Sequence, residues 1–265
     1  MVVRSALNRR LTVLGWLFLM IGMAQAETPS PGIGYQDCDA CPELVTIAPG
    51  SVLSGDPYDY EKTEDDQAKR PKIVISRPFA MGKYEVTQKE WEALMGDNPS
   101  DVKAANLPVV RVSWRRVQEF IARLNAKTGK TFRLPTDEEW EYAARAGHSG
   151  KFGFGDDETQ MGQYAWYKDN SGLKIQPVGK LKPSAFGLYD MHGNVWEWTA
   201  DCSGSNYAPN LPKDYVNEWQ NFCYRIIRGG SVENYPKLMT AFYKTQLTPV
   251  NFSTNLGFRL ARTLP

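Results

Sequence analysis

Apolar and polar positions follow three different rhythms along this chain. The first is a block. Arg4, Arg9 and Arg10 precede an apolar run from Leu11 to Met23, centred on Trp16-Leu17-Phe18-Leu19, and Ala24-Gln25-Ala26 follows. A basic start, a short apolar core and small residues at the cleavage-determining positions are the order of a cleavable export signal. The run is short for a membrane span, so an uncleaved anchor is the lesser alternative. Arg9-Arg10 hints at the twin-arginine route, although Thr12 stands where that route prefers a large apolar residue. The reading is therefore a signal peptide over 1–26, a polar lead-in over 27–42 and one domain over 43–265.

The second rhythm is that of regular elements. Leu44 to Ile47 reads as a short strand ended by Pro49-Gly50, residues 54–71 as a charged exposed loop, and Lys72 to Ser76 as a strand. Thr87-Gln88-Lys89-Glu90 is a capping box, in which Thr87 bonds the Glu90 N–H and Glu90 reaches back, so a helix starts there with Trp91 and Leu94 on its apolar side. A second helix starts near Ser113, because Val117, Phe120, Ile121 and Leu124 fall at i, i+3, i+4 and i+7. Thr136-Asp137-Glu138-Glu139 repeats the capping box before Trp140 and Ala143-Ala144.

After residue 146 periodicity fades, and glycine, asparagine, aspartate and aromatics take over. The 8 Trp and 13 Tyr of the chain would then scaffold long irregular segments. The expected fold class is α+β with little regular secondary structure.

Charge narrows the partners. Without the leader arginines, 28 basic side chains face 30 acidic ones, a net charge of −2. That balance argues against a nucleic-acid partner, which calls for a basic face. No later apolar run approaches spanning length, so no membrane span is expected in the exported chain. Four cysteines, Cys38, Cys41, Cys202 and Cys223, read as two disulfides in an exported protein. Local pairing, Cys38–Cys41 and Cys202–Cys223, is favoured, and spacing alone does not prove it. Zinc is the alternative for Cys38-Asp39-Ala40-Cys41, but the only histidines are His148 and His192. No cysteine directly follows the cleavage site, so no lipid anchor is expected.

Five phrases stand in a fixed order. They are Pro78-Phe79-Ala80-Met81-Gly82-Lys83-Tyr84-Glu85-Val86-Thr87, then Arg133-Leu134-Pro135-Thr136-Asp137-Glu138-Glu139-Trp140-Glu141-Tyr142-Ala143-Ala144-Arg145, then Gly187-Leu188-Tyr189-Asp190-Met191-His192-Gly193-Asn194-Val195-Trp196-Glu197-Trp198, then Arg228-Gly229-Gly230-Ser231, and last Asn255-Leu256-Gly257-Phe258-Arg259. Together, over about 43–262, they resemble the formylglycine-generating enzyme, or sulfatase-modifying factor, family. The resemblance implies a complex α+β fold related to C-type lectins. The family spans sulfatase-activating oxidases, ergothioneine-type sulfoxide synthases, a periplasmic pyoverdine-maturation protein and variable ligand-binding proteins.

The resemblance also implies sites. A structural calcium would sit on the positions Asp190, Gly193, Val195 and Glu197, with carboxylates and glycine-loop carbonyls as hard oxygen ligands. The alternative is that both acids cap or ion-pair inside the fold. A second family calcium maps to the stretch Ala165–Gly172, where no ligands are assignable. Trp198 reads as a core aromatic. Trp196 reads equally as core or as a pocket wall. In the oxidase, two cysteines after the Arg-Gly-Gly-Ser phrase bind copper(I), a soft cation suited to thiolate. Here those positions are Asn234 and Met239, so no copper site of that kind is expected. The iron set of the sulfoxide synthases is missing as well, since neither His148 nor His192 stands in a helical His-x-x-x-His pattern.

The pocket candidates are Trp196, Ser231, Glu233, Asn234, Tyr235 and Met239. Catalytic residues stay unassigned, and Glu233 and Tyr235 are the side chains suited to proton transfer. The expectation is a periplasmic or secreted protein that is not a formylglycine generator. It would bind an exported peptide, a glycan or an envelope protein as an accessory module. The alternative is oxidative maturation of a secreted peptide such as a pyoverdine-type siderophore.

Overall fold

Three side-chain caps start the helices where the sequence places them. Thr87 and Thr136 each close a full capping box, and the Ser113 hydroxyl accepts from Arg116 N. They open α1 (Gln88–Met95), α2 (Trp114–Thr128) and α3 (Asp137–Arg145). Gly96 and Gly129 end the first two at φ +80° and +66°, a backbone that glycine adopts without strain. The computed structural model describes residues 32–58, 69–203 and 223–264. The expected signal peptide and much of the expected charged loop lie outside them.

The strands are short: β1 (Gly34–Tyr35), β2 (Leu44–Ile47), β3 (Gly50–Leu53), β4 (Lys72–Ile75), β5 (Phe79–Gly82), β6 (Phe132–Arg133), β7 (Trp196–Ser203), β8 (Tyr224–Arg228), β9 (Lys244–Leu247), β10 (Leu256–Gly257) and β11 (Ala261–Thr263). A one-turn helix α4 (Met161–Tyr164) lies between β6 and β7. The sheet orders are β1-β2-β5-β11-β6, β10-β7-β8-β9 and β3-β4. This is the mixed α and β architecture expected. Leu44–Ile47 ends ahead of Pro49-Gly50 as expected, and Gly50–Leu53 opens a further strand that pairs antiparallel with Lys72–Ile75. One detail differs: the lead-in is not separate, because Gly34 and Tyr35 pair with Val45 and Leu44 and add an edge strand to the domain. Such two-residue strands carry too little periodicity to be read locally.

The core has two main parts. Trp91 stacks on Phe120 at 5.3 Å, and Phe258 meets both rings edge-on, which joins α1 and α2 to the chain just before β11. Trp140 of α3 packs with Met81, Leu188 and Met191. Burying each such large side chain contributes about 1.5–3 kcal/mol. Trp198 is fully buried, with its indole N–H on the Val112 carbonyl (3.0 Å), as the core reading anticipates. Both expected disulfides, Cys38–Cys41 and Cys202–Cys223, are formed. In the Cys38–Cys41 bridge neither sulfur is a free thiolate.

Strand order then sets up the site. β10 runs parallel to β7 and puts Leu256 opposite Trp196. β8 pairs with β7 and puts Arg228 opposite Glu197. The Gly229-Gly230-Ser231 turn leaves β8 beside Asn255, just ahead of β10.

Candidate functional site

Gly229 and Gly230 turn the chain at φ +92° and +76°. A Cβ on Gly230 would lie 2.5 Å from Met239 Cγ, so the turn is tight in space as well as in angle. It delivers Ser231 into a closed set of hydrogen bonds. Ser231 N and Oγ both donate to Asn234 Oδ1 (2.9 and 2.8 Å). Ser231 Oγ accepts from Asn255 Nδ2 (3.2 Å) and Glu233 N (3.3 Å). A hydroxyl has one donor and two acceptor positions, and all three are used. No histidine is available to activate it. His192 Nδ1 lies 2.7 Å from the Met239 carbonyl and Nε2 accepts from Gly153 N (3.0 Å), partners that select the neutral Nδ1–H tautomer. His148 sits exposed in a loop after α3.

Where the oxidase family carries its first thiolate, this chain thus carries an amide whose oxygen locks the serine. The second position, Met239, is fully buried with Phe152, Met161 and Ala165. Met239 therefore does not line an open pocket, a correction to its candidacy, because its thioether fills an apolar cluster. Glu233 is exposed and takes Asn255 Nδ2 on Oε2 (2.9 Å). Tyr235 is half exposed, with Lys168 Nζ 4.4 Å from its ring centre. Trp196 is partly buried. Its main-chain N–H donates to the Asn255 carbonyl (2.8 Å) and its ring lies 6.1 Å from that of Tyr243. Asn255 thus links Ser231, Glu233 and Trp196, a role that its place at the head of the fifth phrase does not by itself reveal.

A groove of 320 Å³ opens beside this cluster. Val102, Leu107, Val110, Leu173 and Val232 wall it, and Lys174 and Glu233 stand on it as charges. A volume at the lower end of the usual small-ligand range of about 300–1,000 Å³ suits one inserted group. A second cavity, of 630 Å³, lies by Asp137, Cys202 and Lys244. There Asp137 takes Arg228 Nε (2.5 Å) and Lys244 Nζ (2.6 Å), and the guanidinium and ammonium hold its carboxyl below the usual range against burial. The smaller groove is the better site, because its walls are apolar.

Behind the Asp190–Glu197 loop lies a buried charge cluster. Glu197 takes Arg259 Nη2 on Oε1 (2.6 Å), Arg259 Nε on Oε2 (2.7 Å) and Trp140 Nε1 on Oε2 (2.6 Å). The internal ion pair, the alternative to a calcium role, is present. Glu85 accepts from Asn194 Nδ2 (2.7 Å) and Val195 N (3.1 Å). Asp190 accepts from Gly179 N on Oδ2 (2.8 Å), and its Oδ1 is buried with no partner. Three buried carboxylates thus share one guanidinium. Burial pushes Asp190 up to about 6. Burial, then Asp190 and Glu197, push Glu85 well above the carboxylate range. Burial pushes His192 down to about 4.

These residues fit a cation in part. The orphaned Asp190 Oδ1 and the surplus negative charge favour one. Glu197 is a poor ligand because both its oxygens already take N–H groups. Among the described residues no three Asp, Glu, His or Cys side chains converge on one metal position. A calcium here would therefore lean on Asp190 and main-chain carbonyls. The stretch Ala165–Gly172 is closed by its own side chains: Asn170 Nδ2 donates to the Ala165 carbonyl (2.9 Å) and Asn170 Oδ1 accepts from Tyr167 N (2.8 Å).

Comparison with known proteins now places the chain. Residues 32–264 match the Sulfatase-modifying factor enzyme 1-like domain. Chaperone protein LppX of Paenibacillus barcinonensis is 28% identical over 72% of this chain and 82% of its own length. A formylglycine-generating enzyme of Streptomyces coelicolor is 32% identical over 64% of this chain, and the chain spans only 57% of that enzyme. The structure of PvdO from Pseudomonas aeruginosa superposes with a TM-score of 0.74 and 31% identity, covering 89% of this chain and all of PvdO. With its five collinear motifs on this shared framework, the chain belongs to the formylglycine-generating enzyme, or sulfatase-modifying factor, family.

Proposed function

We propose that this protein is an exported accessory module that binds a peptide segment of a client in the groove beside Ser231, and that it does not generate formylglycine. The single observation that carries this is the state of the two positions that hold thiolates in the oxidases. Asn234 spends its oxygen on Ser231, and Met239 is enclosed. An amide and one buried thioether are no seat for copper(I). What is left is a shaped groove without the oxidase's pair of thiolates. The likeness to a protein named as a chaperone, over 82% of that protein, supports a binding role. Two disulfides suit an oxidising compartment, which agrees with a periplasmic or secreted location. Calcium, held by Asp190 and the Gly193 and Val195 carbonyls, would neutralise part of the buried charge and brace the loop behind the groove.

The direct test is incubation of the purified protein with a Cys-x-Pro-x-Arg peptide, copper and oxygen, followed by mass spectrometry. Unchanged peptide is expected, and conversion of its cysteine to formylglycine overturns the reading. A second reading is oxidative maturation of a secreted peptide, such as a pyoverdine-type siderophore. The match that covers the whole of PvdO, and the exposed Glu233 and Tyr235 beside the groove, favour it. Deletion of the gene, with the masses of all secreted peptides unchanged, would remove that reading.

A further inference from the structure

The walls of the groove are apolar and two of its charges have no ionic partner. Val102 is 71% exposed and Leu173 57% exposed, and both line the cavity. Aliphatic surface of this kind leaves water only when something enters. Leu173 is held at φ +59°, a region that a bulky side chain rarely adopts. Its N–H donates to Ser171 Oγ (3.1 Å), and Ser171 Oγ donates to the Val232 carbonyl (3.1 Å). The strained turn is thus tied to the segment that carries Glu233. Strain held in place by its surroundings is found at ligand clamps.

The charges complete the pattern. Asp101 is answered by Arg111 (3.0 Å). Lys174 and Glu233 have no ionic partner among the described residues, and Glu233 Oε2 takes only the Asn255 amide (2.9 Å). One unspent cation and one unspent anion therefore border an apolar cavity of 320 Å³. We infer that the groove selects an extended peptide segment in which an apolar side chain is flanked by one acidic and one basic residue. The apolar side chain enters between Val102 and Leu173, the acid meets Lys174 and the base meets Glu233. This rests on the peptide-binding reading above and gives that site its substrate class.

The experiment is fluorescence anisotropy with the full protein and a labelled peptide, Gly-Glu-Gly-Leu-Gly-Lys-Gly. An analogue with glutamine at both charged positions serves as comparison. Two exposed ion pairs make the charged peptide bind about tenfold tighter than the analogue. Lys174→Glu weakens it, and replacing the peptide's glutamate by lysine restores binding to that variant. Lys174 is exposed, so the variant retains its fold, and circular dichroism checks this. Equal affinity for the charged and neutral peptides, or no reciprocal effect of charge reversal, overturns the inference while leaving the peptide-binding reading in place. No binding of either peptide overturns both. Self-association without peptide binding does the same and points to a second copy as the occupant.

Discussion

Arg259 and Glu197 face each other with essentially no exposed side-chain surface on either, Nη2 2.6 Å from Oε1 and Nε 2.7 Å from Oε2. The guanidinium also bonds the Gly82 and Tyr189 carbonyls (3.1 and 3.0 Å), so it joins β5, the Asp190 loop and β7. Arg259→Met leaves Glu197 buried without a counter-charge, next to Asp190 and Glu85. A loss of about 3–5 kcal/mol in urea unfolding is expected. Arg259→Lys recovers only part of it, because an ammonium lacks the planar fork.

Asp190 and His192 give opposite pH dependence in nearly the same window. The folded-state pKa of Asp190 is raised to about 6 from 3.8, so the folded protein holds a proton that the unfolded chain releases. Its contribution to stability is present at low pH and lost as pH rises through 6. His192 is lowered to about 4 from 6.5, so the unfolded chain holds the extra proton, and stability is gained as pH rises from 4 to 6.5. Each shift corresponds to roughly 3 kcal/mol. In calcium-free buffer the two slopes oppose each other, and Glu85, held well above the carboxylate range, adds a slope of the same sign as that of Asp190. Relative to the parent, Asp190→Asn shifts the pH dependence toward stability that rises with pH, and His192→Asn shifts it toward stability that falls. Urea titrations from pH 4 to 7 check both signs.

Calcium, if held by Asp190, stabilises the folded state by mass action. An excess of 100-fold over Kd gives about 2.7 kcal/mol. Melting in calcium against melting in a chelator reads this directly. The same comparison on Asp190→Ala is expected to show no difference. A calcium response that survives this substitution places the ion elsewhere.

Asn234→Ala removes the acceptor of both the Ser231 N–H and its hydroxyl. Leaving these partly buried donors unmet costs about 1–3 kcal/mol. Asn234→Asp keeps the oxygen and is expected to cost less. Thermal melts of the two variants decide whether the amide is there for its oxygen.

Leu173→Gly separates binding from stability. Glycine adopts φ +59° without strain, so the variant is expected to be as stable as the parent or more stable by about 1 kcal/mol. It also loses the apolar wall, so groove binding is expected to fall about tenfold with the loss of one buried aliphatic side chain. A stable variant with undiminished peptide binding would show that Leu173 does not contact the ligand.

The helices and their starts were legible because their causes are local. Thr87 meets Glu90, and Thr136 meets Glu139, three residues on. The cysteine pairs, the buried Trp198 and the order of the five phrases were legible for related reasons of spacing and composition. The site was legible only in outline. From the sequence, thiolates are missing at Asn234 and Met239. That Asn234 spends its oxygen on Ser231, and that Met239 lies inside an apolar cluster, follows from how the Gly229-Gly230 turn packs.

What the sequence by itself determined is therefore the framework: three capped helices, four cysteines for which local pairing was favoured, the family's order of motifs and a site without its copper ligands. Only the tertiary structure decided what the charged residues do. Glu197 meets Arg259 across 62 residues, and Asn194 meets Glu85 across 109. Such contacts depend on strand register and on burial, which set the strength of every charge and are not written in any local window of the chain. The same is true of the groove, whose walls come from segments near residues 102, 173 and 232 that are neighbours only after folding.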